Sequence, residues 1–281
     1  MNRRLCAIAG LCAALVFASC ARLERRGSAA PSAPLYFVQL SDCHFGSREH
    51  RRRVERIVDA VNALPLPLAC VVVTGDMVSD NILNPAITAE ATSTLARLRV
   101  PVHYLPGNHD ILARRAAETV AAYTNAFGPL ASRAEYGGVV FLMLYTEPLR
   151  SPVAAPGYEP LTWLQEQLAA AGRKPVLVFH HTPSVEDFYG NAMHPGWPAA
   201  ARAAWERLLR SANVRAVVAG HFHRDELHWC GDIPCYVASS TAGYWGRQAS
   251  FRIYEYRNGR LGYRTVYLEP TQETDAVLDN P

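Results

Sequence analysis

Short apolar runs alternate with runs of helical periodicity over the first two thirds of the chain. The apolar runs have the length of buried strands, and the segments between them carry apolar residues every three or four positions, which predicts helices. Predicted strands cover 35–40, 69–74, 102–105, 139–145, 175–179 and 214–218, and predicted helices cover 51–64, 86–98, 161–171 and 199–209. This alternation is typical of parallel strands joined by helical crossovers.

Strand-like segments dominate the chain after residue 225, and short turn-forming connections between them indicate hairpins. These predicted strands cover 226–230, 235–238, 251–256 and 261–268. Because no linker separates this part from the preceding one, we expect one α/β domain over residues 35–270 that contains two packed sheets. The polar residues 271–281 form a tail that we expect to fray.

The N-terminal residues have the features of an export signal and a spacer. Two arginines precede an apolar run that is too short for a membrane span. The run ends at Phe17-Ala18-Ser19-Cys20, which resembles a bacterial lipobox, so we predict a signal peptide over 1–19 and lipid attachment at Cys20. Cleavage near residues 28–30 is the alternative. With a flexible linker over 20–34, the sequence predicts an exported lipoprotein, anchored in a bacterial envelope membrane, whose folded domain lies in the periplasm.

Composition narrows the class of protein. Hydrophobic residues make up 49% of the 281 positions, which is enough for a sizeable core and excludes global disorder. The formal net charge of +3 argues against a protein whose main task is to wrap nucleic acid. We therefore expect no specific nucleic acid partner, and the sequence leaves the oligomeric state open.

Two of the seven cysteines flank a turn-forming segment. Cys230 and Cys235 are separated by Gly-Asp-Ile-Pro and lie between two strand-like runs, so they could meet across a hairpin. Because an exported protein can oxidise its thiols, we expect a disulfide between them. A reduced, buried pair is the alternative.

Five predicted strands each end in a cluster of aspartate, asparagine or histidine residues. The carboxyl ends of strands in open α/β sheets converge on one crevice, so these side chains should meet there. Their imidazole and oxygen donors suit Mn, Fe, Zn, Ni or Co rather than the all-oxygen shells of Ca or Mg. Seven donors exceed the needs of one tetrahedral ion, whereas two ions that share a carboxylate use them all. The candidates are Asp42, His44, Asp76, Asn108, His180, His221 and His223.

The ordered motifs over about residues 36–225 resemble those of calcineurin-like metallophosphoesterases. The matching segments are Asp42-x-His44, Gly75-Asp76, Gly107-Asn108-His109-Asp110, His180 and Gly220-His221-x-His223. The resemblance implies a four-layer αββα sandwich, in which two mixed β-sheets are flanked by helices and a bimetal centre lies between the sheet ends. It also implies a metal-dependent hydrolase that cleaves phosphoester bonds by direct attack of a hydroxide bridging two divalent transition metal ions.

The same resemblance assigns the ligands of each ion. One ion takes Asp42, His44 and His223, the other takes Asn108, His180 and His221, and Asp76 bridges the two. His181 is an alternative to His180, and the family pattern favours His180 because it directly follows the strand.

Two further motif residues are implied to act on the substrate rather than on the ions. The resemblance places His109 against the leaving group and has Asp110 orient it. The family often has an acid or an asparagine three residues after the bridging aspartate, whereas here that position is Ser79, with Asp80 beside it.

The motifs leave the substrate open between phosphomonoesters or phosphoproteins and cyclic nucleotides or other phosphodiesters. Loops over 189–198 and 241–247 follow motif strands and are candidates for the substrate wall, with core packing as the alternative. Their candidate contact residues are His194, Tyr244, Trp245 and Arg247. A non-catalytic binding lipoprotein and a nuclease-type member are the competing functions. Intact ligand motifs argue against the first, and the near-neutral charge and the absence of a capping domain argue against the second.

Overall fold

The computed structural model describes residues 33–269. The predicted signal peptide, Cys20, most of the linker and the polar tail lie outside these residues. Among the described residues, no helix is long and apolar enough to cross a bilayer.

Strands and helices alternate through most of the described chain, as the hydrophobic pattern predicts. The strands are β1 (Leu35–Leu40), β2 (Leu68–Thr74), β3 (Val102–Leu105), β4 (Ala131–Tyr136), β5 (Val139–Leu144), β6 (Val176–Phe179), β7 (Val214–Ala219), β8 (Glu226–Cys230), β9 (Ile233–Val237), β10 (Ser250–Arg257) and β11 (Arg260–Tyr267). The helices are α1 (Arg48–Asn62), α2 (Pro85–Leu95), α3 (Ala116–Phe127), α4 (Glu147–Arg150), α5 (Pro160–Ala171) and α6 (Ala199–Arg210), with short 3-10 turns at Ala113–Arg115 and Phe188–Gly190.

The strands form two mixed sheets. The first has the order β11-β10-β1-β2-β3, with β1, β2 and β3 parallel to one another. The second has the order β4-β5-β6-β7-β9-β8, with β5, β6, β7 and β9 parallel. The parallel strands of each sheet therefore direct their carboxyl ends, and the loops that follow them, toward a common edge.

Alternating side chains of the buried strands supply three hydrophobic layers. In β1, Val38 and Leu40 pack with residues of α1 and α2, while Phe37 faces the second sheet. In β6, Val176 and Val178 pack with α5 and α6, while Leu177 and Phe179 belong to the layer between the sheets. Both sheets are thus covered on two faces, which explains their continuous apolar runs. The prediction of two mixed sheets flanked by helices is confirmed.

Apart from the four-residue α4 and the 3-10 turns, two elements, α3 and β4, were not predicted from the sequence. Alanine is frequent in α3, and its apolar periodicity is weak, although Thr119, Tyr123 and Phe127 lie buried at helical spacing. β4 reads ASRAEY, which lacks the apolar run of the other strands because it forms the outer edge of its sheet. Edge position and helix packing, rather than local hydrophobicity, determine these two elements.

The hairpin predicted around Cys230 and Cys235 is present, but its two cysteines are free, buried thiols. Cys230 pairs with Ile233, and Cys235 pairs with His228, so the two cysteines are diagonal rather than opposite neighbours. The two thiols are still in contact, and a hydrogen bond between them lowers the pKa of Cys230 and raises that of Cys235. The structure therefore matches the reduced pair, and the expected disulfide is wrong.

Candidate metal centre

The polar clusters at the strand ends adopt an unusual backbone conformation. Five of their residues have positive φ angles between 47° and 74°, in the left-handed region that favours glycine. These residues are Asp42, His44, Asp76, His221 and His223. Such a conformation costs about 1–3 kcal/mol per residue and persists only where the surroundings enforce it. Its concentration at one edge of the sheets marks this edge as a candidate functional site.

Asp42, His44 and His223 form the first group of converging side chains, and all three are buried. Asp42 Oδ1 lies 3.1 Å from His223 Nε2, and the two histidine Nε2 atoms are 3.2 Å apart. All three donor atoms lie within 4.8 Å of one another, which is the spacing of ligands around one metal ion.

Asp76, His181 and His221 form the second group, again with all donor atoms within 4.8 Å. Asp76 Oδ2 lies 3.0 Å from His181 Nε2 and 3.8 Å from His44 Nε2 of the first group. The Asp76 carboxylate therefore stands between the two groups, as expected of a bridging residue.

Several buried donor atoms of this site make no hydrogen bond of regular geometry among the described residues, although two of the carboxylate oxygens lie 3.0 and 3.1 Å from a histidine nitrogen. These donor atoms are Asp42 Oδ1, Asp76 Oδ2, Asn108 Oδ1 and His181 Nε2. Buried polar atoms are nearly always paired, so a convergent set of unpaired lone pairs calls for a ligand. Carboxylate, amide and imidazole donors together fit divalent transition metals. The residues present thus fit two metal ions, with Asn108 as an additional oxygen donor.

The electrostatic environment of the histidines in the site also suits cation binding. Burial lowers the pKa of His44 to about 4 and that of His221 to about 3, so both rings are neutral, the form that binds metal. Burial acts in the same direction on His181, but the carboxylates of Asp76 and Asp42 outweigh it and raise the pKa of His181 to about 10. The two carboxylates thus create a negative potential that favours positive charge at the centre of the site.

Hydrogen bonds at the back of the site orient the rings. The Nδ1 of His181 donates to the Thr74 carbonyl oxygen at 2.8 Å, which directs Nε2 toward Asp76. The Nδ1 of His44 lies 3.2 Å from the Ser79 hydroxyl, and its Nε2 faces the first group. Such contacts fix the tautomer and direction of metal-binding histidines.

Close packing of the turns requires glycine at two of the motif positions. A Cβ atom on Gly107 would lie 2.1 Å from Asp76 Oδ1, and one on Gly220 would lie 1.9 Å from the Ser41 hydroxyl oxygen. Ser41 in turn donates to Asp42 Oδ2. The glycines of these motifs therefore allow the turns to approach the two central carboxylates.

The structure places His181, and not His180, in the site, so the preference for His180 is wrong. His180 is fully buried on the opposite side, where its ring lies 5.1 Å from the Trp205 ring and 5.7 Å from the Trp197 ring. Its Nδ1 lies 3.3 Å from the Thr146 hydroxyl, and burial lowers its pKa to about 3. His180 continues the helix-facing alternation of Val176 and Val178, which turns the next residue toward the site.

The partner of His109 also differs from the expected one. Its Nδ1 lies 2.9 Å from Asp80 Oδ1, whereas the buried Asp110 accepts hydrogen bonds from the backbone amides of Val78 and Gly107 at 3.1 and 2.8 Å. Asp110 therefore joins two loops, and the expectation that it orients His109 directly is wrong. Burial and the nearby Asp76 raise the pKa of Asp110 to about 7.

Sequence reasoning thus gave His181 only as the alternative to His180, and it gave Asp80 no role. The alternation of side chains along β6 shows only that His180 and His181 face opposite sides of the strand. No local signal distinguishes Asp80, because its partner lies 29 positions further along the chain.

The four candidate residues of the substrate wall lie in two different parts of the structure. The Tyr244 ring lies 4.7 Å from His44 and 4.9 Å from His223, and the exposed Trp245 ring lies 4.7 Å from His223. Arg247 donates to the carbonyl oxygen of His223 at 3.0 Å. The structure brings these three residues to the site.

The candidate wall residue His194 lies further out. It is exposed, and its ring lies 5.8 Å from the Tyr189 ring. The same loop contains Trp197, which is buried and packs in the core against His180. The predicted wall over 189–198 is therefore divided between an exposed part and a packed part.

Comparisons with known proteins agree with this geometry. The calcineurin-like phosphoesterase family matches residues 35–225. The chain is 29% identical over 225 residues to a serine/threonine-protein phosphatase of Mus musculus, covering 68% of this chain and 70% of the relative. It is 25% identical over 275 residues to a cAMP/cGMP dual specificity phosphodiesterase of Mycobacterium tuberculosis, covering 90% of this chain and 82% of the relative.

The fold resembles that of solved structures at low sequence identity. A dimetal phosphatase from Danio rerio superposes with a TM-score of 0.58 at 15% identity, covering 85% of this chain and 100% of that protein. A purple acid phosphatase from yellow lupin superposes with a TM-score of 0.63 at 14% identity, covering 83% of this chain and 52% of that protein. From its motifs, its two candidate metal-binding groups and these matches, the chain belongs to the calcineurin-like phosphoesterase family and is a phosphoester hydrolase.

Proposed function

We propose that this hydrolase binds two divalent transition metal ions at the site described above. The first ion is held by Asp42, His44 and His223, the second by Asn108, His181 and His221, and Asp76 serves both. The observation that carries the proposal is the convergence of donor atoms, most of them buried, from five loops on one small volume. The candidate metals are Mn, Fe, Zn, Ni and Co, which accept such mixed nitrogen and oxygen donors.

Two bound cations would supply a water of lowered pKa and would offset charge on the phosphoryl oxygens. The remaining work falls to the protein side chains. Asp80 holds Nδ1 of His109, so the other ring nitrogen is free to face a substrate. Burial opposes protonation of His109, but the carboxylates of Asp76 and Asp80 outweigh it and raise its pKa above the ordinary value. We therefore assign His109 the role of proton donor to the leaving oxygen.

Replacing His109 by alanine should lower activity selectively for poor leaving groups. An alkoxide needs a proton in order to depart, whereas a nitrophenolate departs nearly unaided. We expect a loss of about 10²–10⁴-fold for alkyl phosphoesters and a clearly smaller loss for nitrophenyl esters. The measurement is a leaving-group series on wild type and variant, with metal content determined in each.

Asp80→Asn is the companion variant to His109→Ala. It should show the same selective loss for poor leaving groups, but a smaller one, while both ions stay bound. Equal losses across the series would mean that His109 positions the substrate rather than donating a proton. Loss of metal from His109→Ala would mean that this residue supports the ions instead.

The substrate class is tested by a turnover screen of the Mn-loaded chain without its first 20 residues. The mouse relative is named a protein phosphatase, and the mycobacterial relative is named a cyclic nucleotide phosphodiesterase, so both ester classes belong in the screen. The screen covers phosphomonoesters, phosphopeptides, cyclic nucleotides and bis-aryl diesters. We expect hydrolysis of at least one of them, and this hydrolysis should stop when a chelator is added and return when metal is restored. A fully metal-loaded protein without turnover would favour the non-catalytic alternative, and cleavage of nucleic acid would favour the nuclease alternative.

We also propose that the protein is exported and anchored to a bacterial envelope membrane through lipid on Cys20. The support is the lipobox-like Phe17-Ala18-Ser19-Cys20 and the polar spacer that follows it. Wild-type protein should partition into the detergent phase, and Cys20→Ser should partition into the aqueous phase. Aqueous partitioning of both proteins would contradict the lipid anchor.

A further inference from the structure

Trp245 presents a largely exposed indole ring beside the candidate metal centre, with the Arg247 guanidinium 5.8 Å from the ring centre. Its side chain is 62% exposed, although tryptophan is among the largest apolar side chains. The indole lies 4.7 Å from the His223 ring at an interplanar angle of 30°, so one of its faces is close to the first group of donor atoms. A substrate whose phosphoryl group lies at that centre would bring its organic part within reach of this ring.

The loop that carries Trp245 is held in one conformation by contacts at both ends. Arg53 donates to the carbonyl oxygens of Ala242 and Gly243 at 2.9 and 3.0 Å. Arg247 donates to the carbonyl oxygen of His223 at 3.0 Å. Trp245 itself has a φ of +54°, a strained value that these contacts maintain. The exposed ring is therefore positioned by the fold rather than left free in solution.

A second aromatic ring lies on the side of the other candidate ion. Tyr189 also has a positive φ, of 61°, and is 39% exposed. Its ring lies 5.3 Å from Phe222, which follows His221, and the Arg224 guanidinium lies over it at 5.1 Å. Aromatic side chains therefore lie on both sides of His221 and His223. Of the two, Trp245 is more exposed than Tyr189 and lies closer to a donor residue.

Trp229 provides a comparison within the same chain. It is 59% exposed, almost as much as Trp245, but it lies in the edge strand β8 opposite Pro234. It has an ordinary backbone conformation, and within the described residues its ring does not contact the donor histidines. Exposure alone thus does not distinguish Trp245; its strained backbone and its position over His223 do.

We propose that Trp245 is a stacking platform for the organic group of the substrate, and that this group contains a planar aromatic ring. This inference rests on the proposed phosphoester hydrolysis and specifies its substrate class. A flat π-system stacks on an indole in offset or edge-to-face geometry and gains more than its buried area alone provides. A saturated ring of similar size gains only the free energy of burying its apolar area. The platform therefore predicts discrimination between flat and puckered rings.

Benzyl phosphate and cyclohexylmethyl phosphate provide the test, because both leave as primary alkoxides and differ chiefly in the flatness of the ring. In the wild type, kcat/KM should favour the benzyl ester. Trp245→Leu should lower kcat/KM for the benzyl ester about five- to tenfold, and change that for the cyclohexylmethyl ester by less than about twofold. Trp229→Leu is the control and should leave both values unchanged.

Binding of the two matching phosphonates, measured by calorimetry on the full, metal-loaded chain, tests the platform without turnover. The wild type should bind benzylphosphonate more tightly, and Trp245→Leu should remove that preference. If neither ester is hydrolysed but the phosphonate preference is present and depends on Trp245, hydrolysis fails and the platform stands. Equal losses for both ring types, or an unchanged preference in Trp245→Leu, would overturn the platform.

Two natural sources of a flat ring can be separated with the same variants. In phosphotyrosine the ring is bonded to the ester oxygen, whereas in a nucleotide the base lies one sugar away from the phosphorus. Whichever of these two substrates shows the larger loss of kcat/KM in Trp245→Leu identifies the source. A loss for neither, with the benzyl preference also absent, would contradict the inference.

Discussion

Replacing Asp76 by asparagine should leave well under two metal ions per chain and lower phosphoester hydrolysis by several orders of magnitude. Asp76 is the residue that stands between the two donor groups, 3.0 Å from His181 Nε2 and 3.8 Å from His44 Nε2. An amide has nearly the same shape as a carboxylate, and its Oδ1 can still accept the amide hydrogen of His109, a contact of 2.9 Å in the wild type. The change therefore removes negative charge from both ion sites while largely preserving the packing.

Metal analysis by mass spectrometry and turnover of the best substrate are the two measurements for Asp76→Asn. The matched control is Asp80→Asn, the same chemical change four residues further along at an exposed position. That variant should keep both ions. Two fully occupied sites with near-normal rates in Asp76→Asn would remove the bridging assignment.

Replacing His181 by alanine should have the second largest effect on metal content and activity. The same replacement of the adjacent His180 is the control. His181 supplies one of three donors to the second group, so its loss should empty that ion site and lower activity by orders of magnitude. His180 instead fills space between Trp197 and Trp205. His180→Ala should keep both ions and lower the free energy of unfolding by about 2–4 kcal/mol, because it leaves a cavity in a packed core.

Metal content and thermal or denaturant unfolding of the two alanine variants separate these roles. The opposite result, in which His180→Ala loses an ion and His181→Ala keeps both, would restore the assignment based on the family pattern. Loss of metal from both variants would mean that the strand end as a whole supports the ion. The ligand would then have to be identified in a structure of the metal-bound protein.

Much of the site could be predicted from the sequence because its residues sit in short local motifs at strand ends. Asp42 with His44, and His221 with His223, are each separated by one residue, so a single turn brings both members to the same edge. The neighbouring glycines mark turns that approach the carboxylates too closely for a Cβ atom. Parallel pairing then makes the convergence of separate strands a consequence of topology.

The sequence could not decide between two adjacent histidines because it does not state which face of a strand is turned toward the site. Strand alternation fixes that His180 and His181 point in opposite directions, but only the packing of Val176 and Val178 against the helices shows which direction is which. A shift of one residue in that register would exchange their roles.

The α/β fold class and the gathering of candidate donor residues at the strand ends were therefore determined by the sequence itself, since they follow from hydrophobic periodicity and short motifs. Tertiary structure alone decided that Asp80 rather than Asp110 pairs with His109, and that Cys230 and Cys235 are diagonal in their hairpin. These features depend on side-chain direction and on strand register, which are fixed by contacts between residues distant in the chain. Local sequence carries the residue types, and packing across the two sheets decides which of them meet.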